Sequence, residues 1–110
     1  MADFMKLLQQ AKEMQDRMQR MRDELKAKTV TGTAGGGMVT AEADGEGMLR
    51  KVRIDPSVVS AADVEMLEDL VLVAVSEAQR KAQALAQEEM KSVAAGLGLP
   101  GMPGGFKLPF

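Results

Sequence analysis

The sequence predicts an α+β fold, in which a long N-terminal helix, a three-stranded antiparallel meander and a long C-terminal helix follow one another. Residues 60–95 contain no glycine or proline and place apolar side chains at steps of three and four, which is the spacing of one helical face. Residues 3–27 show similar spacing. The stretch between these helices is rich in β-branched residues and glycine turns, as expected for short strands.

The first predicted helix covers residues 3–27 and has a heptad seam. The seam consists of Leu7, Ala11, Met14, Met18, Met21 and Leu25. Alternating steps of four and three are typical of helices that pack along one stripe. We interpret the seam as a face that packs on the core or on another helix. A free-standing parallel coiled coil is the alternative, for which three heptads are the minimum.

Three strands are predicted between the helices, at residues 29–33, 38–43 and 48–54. The turns between them read AGGG and DGEG, and the second is typical of a hairpin. Asp55 and Pro56 end the third strand. The order helix, meander, helix follows from these boundaries.

Alternation along the strands predicts which side chains face the core. The expected inward residues are Val39, Ala41 and Ala43 of the second strand and Val52 and Ile54 of the third. The same alternation places Leu49, Lys51 and Arg53 together on the opposite face.

The last predicted helix contains a block that is apolar on every side. Residues 70–75 read LVLVAV, whereas a surface helix in a monomer has a single apolar stripe. One side of the block can face the chain's own sheet, and the other side needs a further layer, most simply a second copy of the chain. The predicted dimer interface consists of Leu70, Val71, Val73 and Val75.

These elements are expected to form one domain, residues 1–95, followed by a Gly/Pro-rich tail, residues 96–110. The tail has no apolar periodicity, so its removal is expected to leave the fold intact. Its last residues, FKLPF, are apolar enough to dock on a partner, and a tail without regular structure is the alternative.

The composition predicts a protein that is not an enzyme. The chain has no His, Cys, Tyr or Trp, so its serines have no imidazole to activate them and soft metals have no ligands. Acids near the start of the last helix are explained by the helix dipole. We therefore expect no catalytic residue, no metal, no cofactor and no small-molecule substrate.

The longest apolar run has six residues, which is far too short to cross a membrane. The N-terminus has an acid at Asp3 and an amphipathic pattern, so a signal peptide is not predicted. These features favour a cytoplasmic protein that has no membrane partner.

Charge is distributed unevenly along a chain whose net charge is −2. Residues 1–28 contain seven Lys or Arg and five Asp or Glu, and residues 54–110 contain four and eight. Between them, Arg50, Lys51 and Arg53 have no acid within residues 48–53. The positive charge is therefore concentrated in the first helix and in the third strand.

The sequence resembles the YbaB/EbfC family of bacterial nucleoid-associated proteins over nearly its whole length. The resembling segments are LLQQAKEMQDRMQRMRDEL, VTGT with the glycines after it, IDPSVV, DVEMLEDLV followed by EAQRKAQALAQEEM, and the tail LPGMPGGFKLPF. Of these segments, DVEMLEDLV at residues 63–71 is the most specific.

The resemblance implies a tweezer-like homodimer that binds duplex DNA in the nucleoid with little sequence preference, organises the nucleoid and influences transcription. It places the DNA contacts on projecting helical arms. The corresponding residues are Lys6, Lys12, Arg17, Arg20, Arg22, Arg80, Lys81 and Lys91. A protein-interaction adaptor that uses the arms and the FKLPF tail is the alternative hypothesis.

Overall fold

The computed structural model describes residues 2–96, which form two long helices and one antiparallel sheet of order β1-β2-β3. The elements are α1 (Ala2–Ala27), β1 (Thr29–Ala34), β2 (Val39–Asp44), β3 (Leu49–Ile54), two 3-10 turns (Pro56–Val58 and Ala61–Asp63) and α2 (Val64–Gly96). The α+β order predicted from the sequence is confirmed. Apart from Gly96, the predicted tail lies outside the described residues.

The beginning of α2 differs from the prediction because two capping residues act on successive turns. Ser60 Oγ accepts a hydrogen bond from the Ala62 backbone N–H at 3.2 Å and caps the 3-10 turn. Asp63 Oδ1 then accepts from the Met66 N–H at 3.3 Å. The α-helix therefore begins at Val64, four residues later than the first cap.

The core lies between α2 and one face of the sheet. Val39, Ala41 and Ala43 of β2 are fully buried, as their alternation predicts, and they pack with Ala74 and Ala78 of α2. Four of these five side chains are alanines, so the backbones of the sheet and the helix come close together.

Gly32 of β1 is the closest point of that contact. A Cβ atom added to Gly32 would collide with the carbonyl oxygen of Ala74 and the amide nitrogen of Ala78. Both colliding atoms belong to the backbone of α2 and cannot rotate away. The glycine in the VTGT segment is therefore required by packing.

We expect Gly32→Ala to lower the free energy of unfolding by about 3 kcal/mol, because overpacking against a rigid backbone strains the structure. Gly36→Ala is the matched control: nothing lies within 4 Å of its added Cβ, but its φ is 68°, which costs about 1 kcal/mol. Urea unfolding measures both. Equal losses in the two variants would contradict the packing role of Gly32.

The apolar side chains of β3 lie on the α2 side of the sheet but are not covered by α2. The helix packs on β1 and β2, whereas Leu49, Val52 and Ile54 remain 39–40% exposed. These three residues are the cross-strand partners of Ala43, Ala41 and Val39, so they share the inward face.

The prediction that Leu49 shares a face with Lys51 and Arg53 is wrong. Glu42 pairs with Lys51 while the next residue, Ala43, pairs with Leu49, so Arg50 is an extra residue in the ladder. A bulge of this kind shifts the alternation of side chains by one residue. Leu49 consequently extends the apolar face of β3.

α1 projects beyond the rest of the molecule. Its 2–16 segment is exposed throughout, whereas Met21 and Leu25 near its C-terminal end are buried. A helix of 33 residues such as α2 is about 50 Å long, and the longest dimension of the molecule is 72 Å. The longest dimension exceeds the length of α2 by ~20 Å, which corresponds to the first half of α1 extending beyond the body. The heptad seam is thus covered within the chain only at its C-terminal end.

Candidate nucleic-acid interface

Five of the predicted DNA contacts lie on α1. Lys6, Lys12, Arg20 and Arg22 are exposed, and Arg17 is half-buried. The ion pairs within residues 2–96 all involve other cations, so Arg17 and Arg20 form no ion pair with the acids one turn before them. Unpaired guanidinium and ammonium groups on a projecting helix are available to phosphates.

The three predicted contacts on α2 have different surroundings. Arg80 is exposed and takes no part in the ion pairs of residues 2–96. Lys91 lies 3.8 Å from the Glu88 carboxylate, and both side chains are largely exposed. Arg80 thus resembles the cations of α1, whereas Lys91 has an acidic neighbour.

Lys81 is already engaged within the chain. Its Nζ donates a hydrogen bond to the Thr31 carbonyl oxygen at 2.8 Å and lies 3.2 Å from Glu77 Oε1. The hydrogen bond from Lys81 lowers the pKa of the Glu77 carboxyl. Lys81 and Glu77 therefore cover the outer edge of β1, and a DNA contact by Lys81 stays a prediction.

The C-terminal end of α1 is fixed to the turn between β2 and β3. The Gly45 N–H donates to the Leu25 carbonyl at 2.8 Å. Arg50 Nη2 donates to the Lys26 carbonyl at 3.3 Å and to Asp44 Oδ2 at 3.0 Å. Arg50 therefore has a structural role, and these hydrogen bonds hold the C-terminal end of α1 against the sheet.

Among residues 2–96, Asp44 is the one charged residue that is buried, and 5% of its surface is exposed. Its Oδ1 accepts from the N–H groups of Glu46 and Met48 at 2.9 and 3.0 Å. Burial raises the pKa of the Asp44 carboxyl, but the hydrogen bonds and the charge of Arg50 outweigh it, so the pKa lies below its ordinary value. An Asp that precedes Gly in a hairpin turn is the sequence signal for this role.

We expect the free energy of unfolding to fall as the pH is lowered below about 4. A carboxyl whose pKa is lowered by folding contributes stability above its unfolded pKa, and this contribution is lost as the pH falls through the folded value. The lowered pKa values of Asp55 and Glu77 act in the same direction. Urea unfolding between pH 6 and pH 2.5 should show that the free energy of unfolding depends less on pH in Asp44→Asn than in the natural protein. Parallel curves for the two proteins would contradict the role of Asp44.

A second group of cations lies on the sheet face that points away from α2. Lys51 is opposite Glu42 and Arg53 is opposite Thr40. Both cations are exposed and take no part in the ion pairs of residues 2–96. The basic run of the sequence is thus divided, because Arg50 points to α1 and the other two residues to the outer face.

Charge is polarised along the long axis of the molecule. Lys28, which directly follows α1, pairs with Glu89 at 2.6 Å, so α1 leaves the body beside the C-terminal half of α2. Residues 63–69, at the opposite end of α2, contain four acids and no Lys or Arg. An anionic partner is therefore favoured at the end of the molecule from which α1 projects.

The predicted dimer residues lie on two different flanks of α2. Leu70, Val71 and Val75 are half-buried and pack against the core, whereas Val73 is 51% exposed. Val73 lies one turn before Glu77, which is held at the β1 edge through Lys81. Val73 therefore belongs to the β1 flank.

The other flank borders the uncovered face of β3. Gln79 donates to the Gly47 carbonyl, next to β3, at 3.3 Å. Leu72 and Val75 precede Gln79 by seven and four residues and so share its stripe. The uncovered surface formed by Leu49, Val52, Ile54 and Leu72 is called the open apolar face below.

This architecture defines an α+β body with a projecting helix that carries five unpaired cations. The chain belongs to the YbaB/EbfC DNA-binding family, whose pattern matches residues 1–97. The resemblance found in the sequence is thereby confirmed. Along residues 2–96, neither helix offers a stretch long and apolar enough to cross a bilayer.

Relatives align along almost the entire chain. A nucleoid-associated protein of Gemmatimonas aurantiaca is 49% identical over 108 residues, covering 98% of this chain and 99% of the relative. The nucleoid-associated protein R00231 of Rhizobium meliloti is 42% identical over 110 residues, covering all of both chains. The crystal structure of the uncharacterized protein HP0035 from Helicobacter pylori matches with a TM-score of 0.65 at 23% identity, covering 87% of this chain and 97% of that one. This last match shows the shared fold.

Proposed function

We propose that this chain is a non-enzymatic, nucleoid-associated protein that binds duplex DNA as a homodimer in the cytoplasm. The unpaired cations of α1, on an arm that projects from the body, are the observation that best supports this function. Membership of a DNA-binding family and the names of the relatives support it independently. Organisation of the nucleoid and an influence on transcription follow as consequences of such binding.

Binding is expected to depend on phosphates more than on bases. Lys and Arg contacts to phosphates provide affinity without reading sequence. The described elements place no short recognition helix in a helix-turn-helix arrangement. Low sequence preference therefore belongs to the proposal.

The homodimer is proposed because the open apolar face has no cover within residues 2–96. A contiguous exposed apolar surface on a soluble protein is a sign of an interface. A second copy that packs on this face would bury the uncovered side of β3 and place two copies of α1, with their unpaired cations, on one assembly. The number of phosphate contacts would then double.

A gel-shift series with two unrelated duplexes, at salt concentrations from 50 to 200 mM, tests this function. If about six phosphates are neutralised, log K should fall against log salt with a slope near −5, and both duplexes should give the same affinity. Absence of binding at 50 mM salt, or binding that does not depend on salt, would reject the proposal.

A protein-interaction adaptor is the second candidate function. The exposed apolar side chains at the beginning of α1, such as Phe4 and Met5, favour it. The adaptor function would be supported if the protein binds neither duplex at low salt while it remains folded and dimeric.

A further inference from the structure

The first half of α1 has an apolar surface that nothing within residues 2–96 covers. Phe4, Met5, Leu7, Leu8 and Met14 are between 47% and 66% exposed. Phe4, Leu7 and Met14, together with Ala11, extend the heptad seam toward the N-terminal end of the helix, and Leu8 lies beside the seam, whereas Met5 lies on another side of α1. An exposed apolar stripe of this length indicates a bound segment or partner.

A parallel coiled coil between two arms is a poor explanation for this stripe. The uncovered part of the seam, Phe4 to Met14, is only about one and a half heptads long, whereas a sustained coiled coil needs three to four. The arm therefore needs an apolar cover that does not depend on a long helical partner.

The chain's own C-terminal segment begins beside this stripe. Met18 of α1 and Met90 of α2 line the same cleft, which has a volume of about 500 Å³, and α2 continues for six residues after Met90. Six residues advance a helix by about 9 Å, and the same distance along α1 leads from Met18 to about residue 12. Residue 97 is thus expected close to the point where the seam becomes uncovered.

We propose that residues 97–110 bind along the uncovered seam of α1 in the same chain. The apolar residues of this segment are Leu97, Leu99, Met102, Phe106, Leu108 and Phe110. Fourteen residues at the polyproline rise of about 3.1 Å span roughly 43 Å, and residues 2–14 of α1 span about 20 Å. The segment is therefore long enough to follow the seam to Phe4.

Covalent attachment favours this occupant over a separate partner. Because the segment is joined to α2, its effective concentration at the seam is in the millimolar range for a short linker. This inference goes beyond the proposed function and does not depend on DNA binding.

Disulfide trapping tests the contact cleanly because the natural chain has no cysteine. Ala11→Cys on the seam is combined with Lys107→Cys, and the matched control combines Gln9→Cys, on the opposite side of α1, with Lys107→Cys. We expect the seam pair to form an intrachain disulfide at least tenfold faster than the control pair. Equal rates would overturn the proposal, and so would disulfides that form mainly between chains.

Hydrogen exchange supplies a second, independent readout. Phe106→Ser with Phe110→Ser should accelerate amide exchange in residues 4–14 at least tenfold and leave residues 18–27 and α2 unchanged. Lys107→Ala is the control and should exchange like the natural chain. Truncation after Gly96 should reproduce the effect of the double variant without lowering the melting temperature of the body. Unchanged exchange in residues 4–14 of the truncated protein would also overturn the proposal.

Discussion

Val52→Asp is expected to convert the dimer into a folded monomer. Val52 is 40% exposed within one chain, so the new carboxylate remains hydrated in the monomer. In the proposed dimer it would be buried on the open apolar face without a partner, at a cost of several kcal/mol. Light scattering at micromolar concentration should show half the mass of the natural protein, with an unchanged circular dichroism spectrum.

The same variant should also weaken DNA binding, because a monomer keeps only half of the phosphate contacts. The slope of log K against log salt should change from near −5 to about −2.7. Thr33→Asp adds the same charge on the outer face of β1, where Thr33 is exposed, and should leave the mass unchanged. A natural protein that is monomeric at micromolar concentration would reject the dimer.

Val73→Asp decides between the two flanks of α2. The sequence prediction placed Val73 in the interface, whereas the open apolar face lies on the flank that contains Leu72. Loss of the dimer in Val73→Asp together with a dimeric Val52→Asp would move the interface to the β1 flank. The opposite pair of results would assign it to the open apolar face.

Local patterns in the sequence were sufficient for most of the fold. The boundaries of α1 and the inward face of β2 depend on periodicity within single segments, and both agree with the structure. The face of Leu49 could not be predicted, because the bulge places Arg50 against Asp44 and against the Lys26 carbonyl. The latter contact joins residues 24 positions apart, so strand alternation alone could not predict it.

The excess of positive charge at the candidate site could be predicted from the sequence, but the contacts of the individual cations could not. Lys81 reaches the Thr31 carbonyl across 50 residues of sequence, so its engagement becomes visible only in the folded chain. Conversely, Glu13 and Asp16 lie one helical turn before Arg17 and Arg20, at the spacing of a favourable ion pair, and neither pair forms. Exposed pairs of this kind contribute only a few tenths of a kcal/mol, which is too little to hold two long side chains together.

Arg17→Ala with Arg20→Ala is expected to weaken DNA binding equally for all sequences. The two changes remove four cations from the proposed dimer. With about 1 kcal/mol for each charge-assisted contact, the affinity at 50 mM salt should fall several hundredfold. The slope of log K against log salt should change from near −5 to about −2, because each lost phosphate contact removes roughly one unit.

The matched control is Lys51→Ala with Arg53→Ala, which also removes four cations from the dimer but takes them from the outer sheet face. This control should keep the affinity within a few fold of the natural protein if the arms hold the DNA. Melting curves must show that both variants are folded, since Arg17 is half-buried. Unchanged affinity and slope in the arm variant, with a large loss in the sheet variant, would place the DNA on the outer face of the sheet.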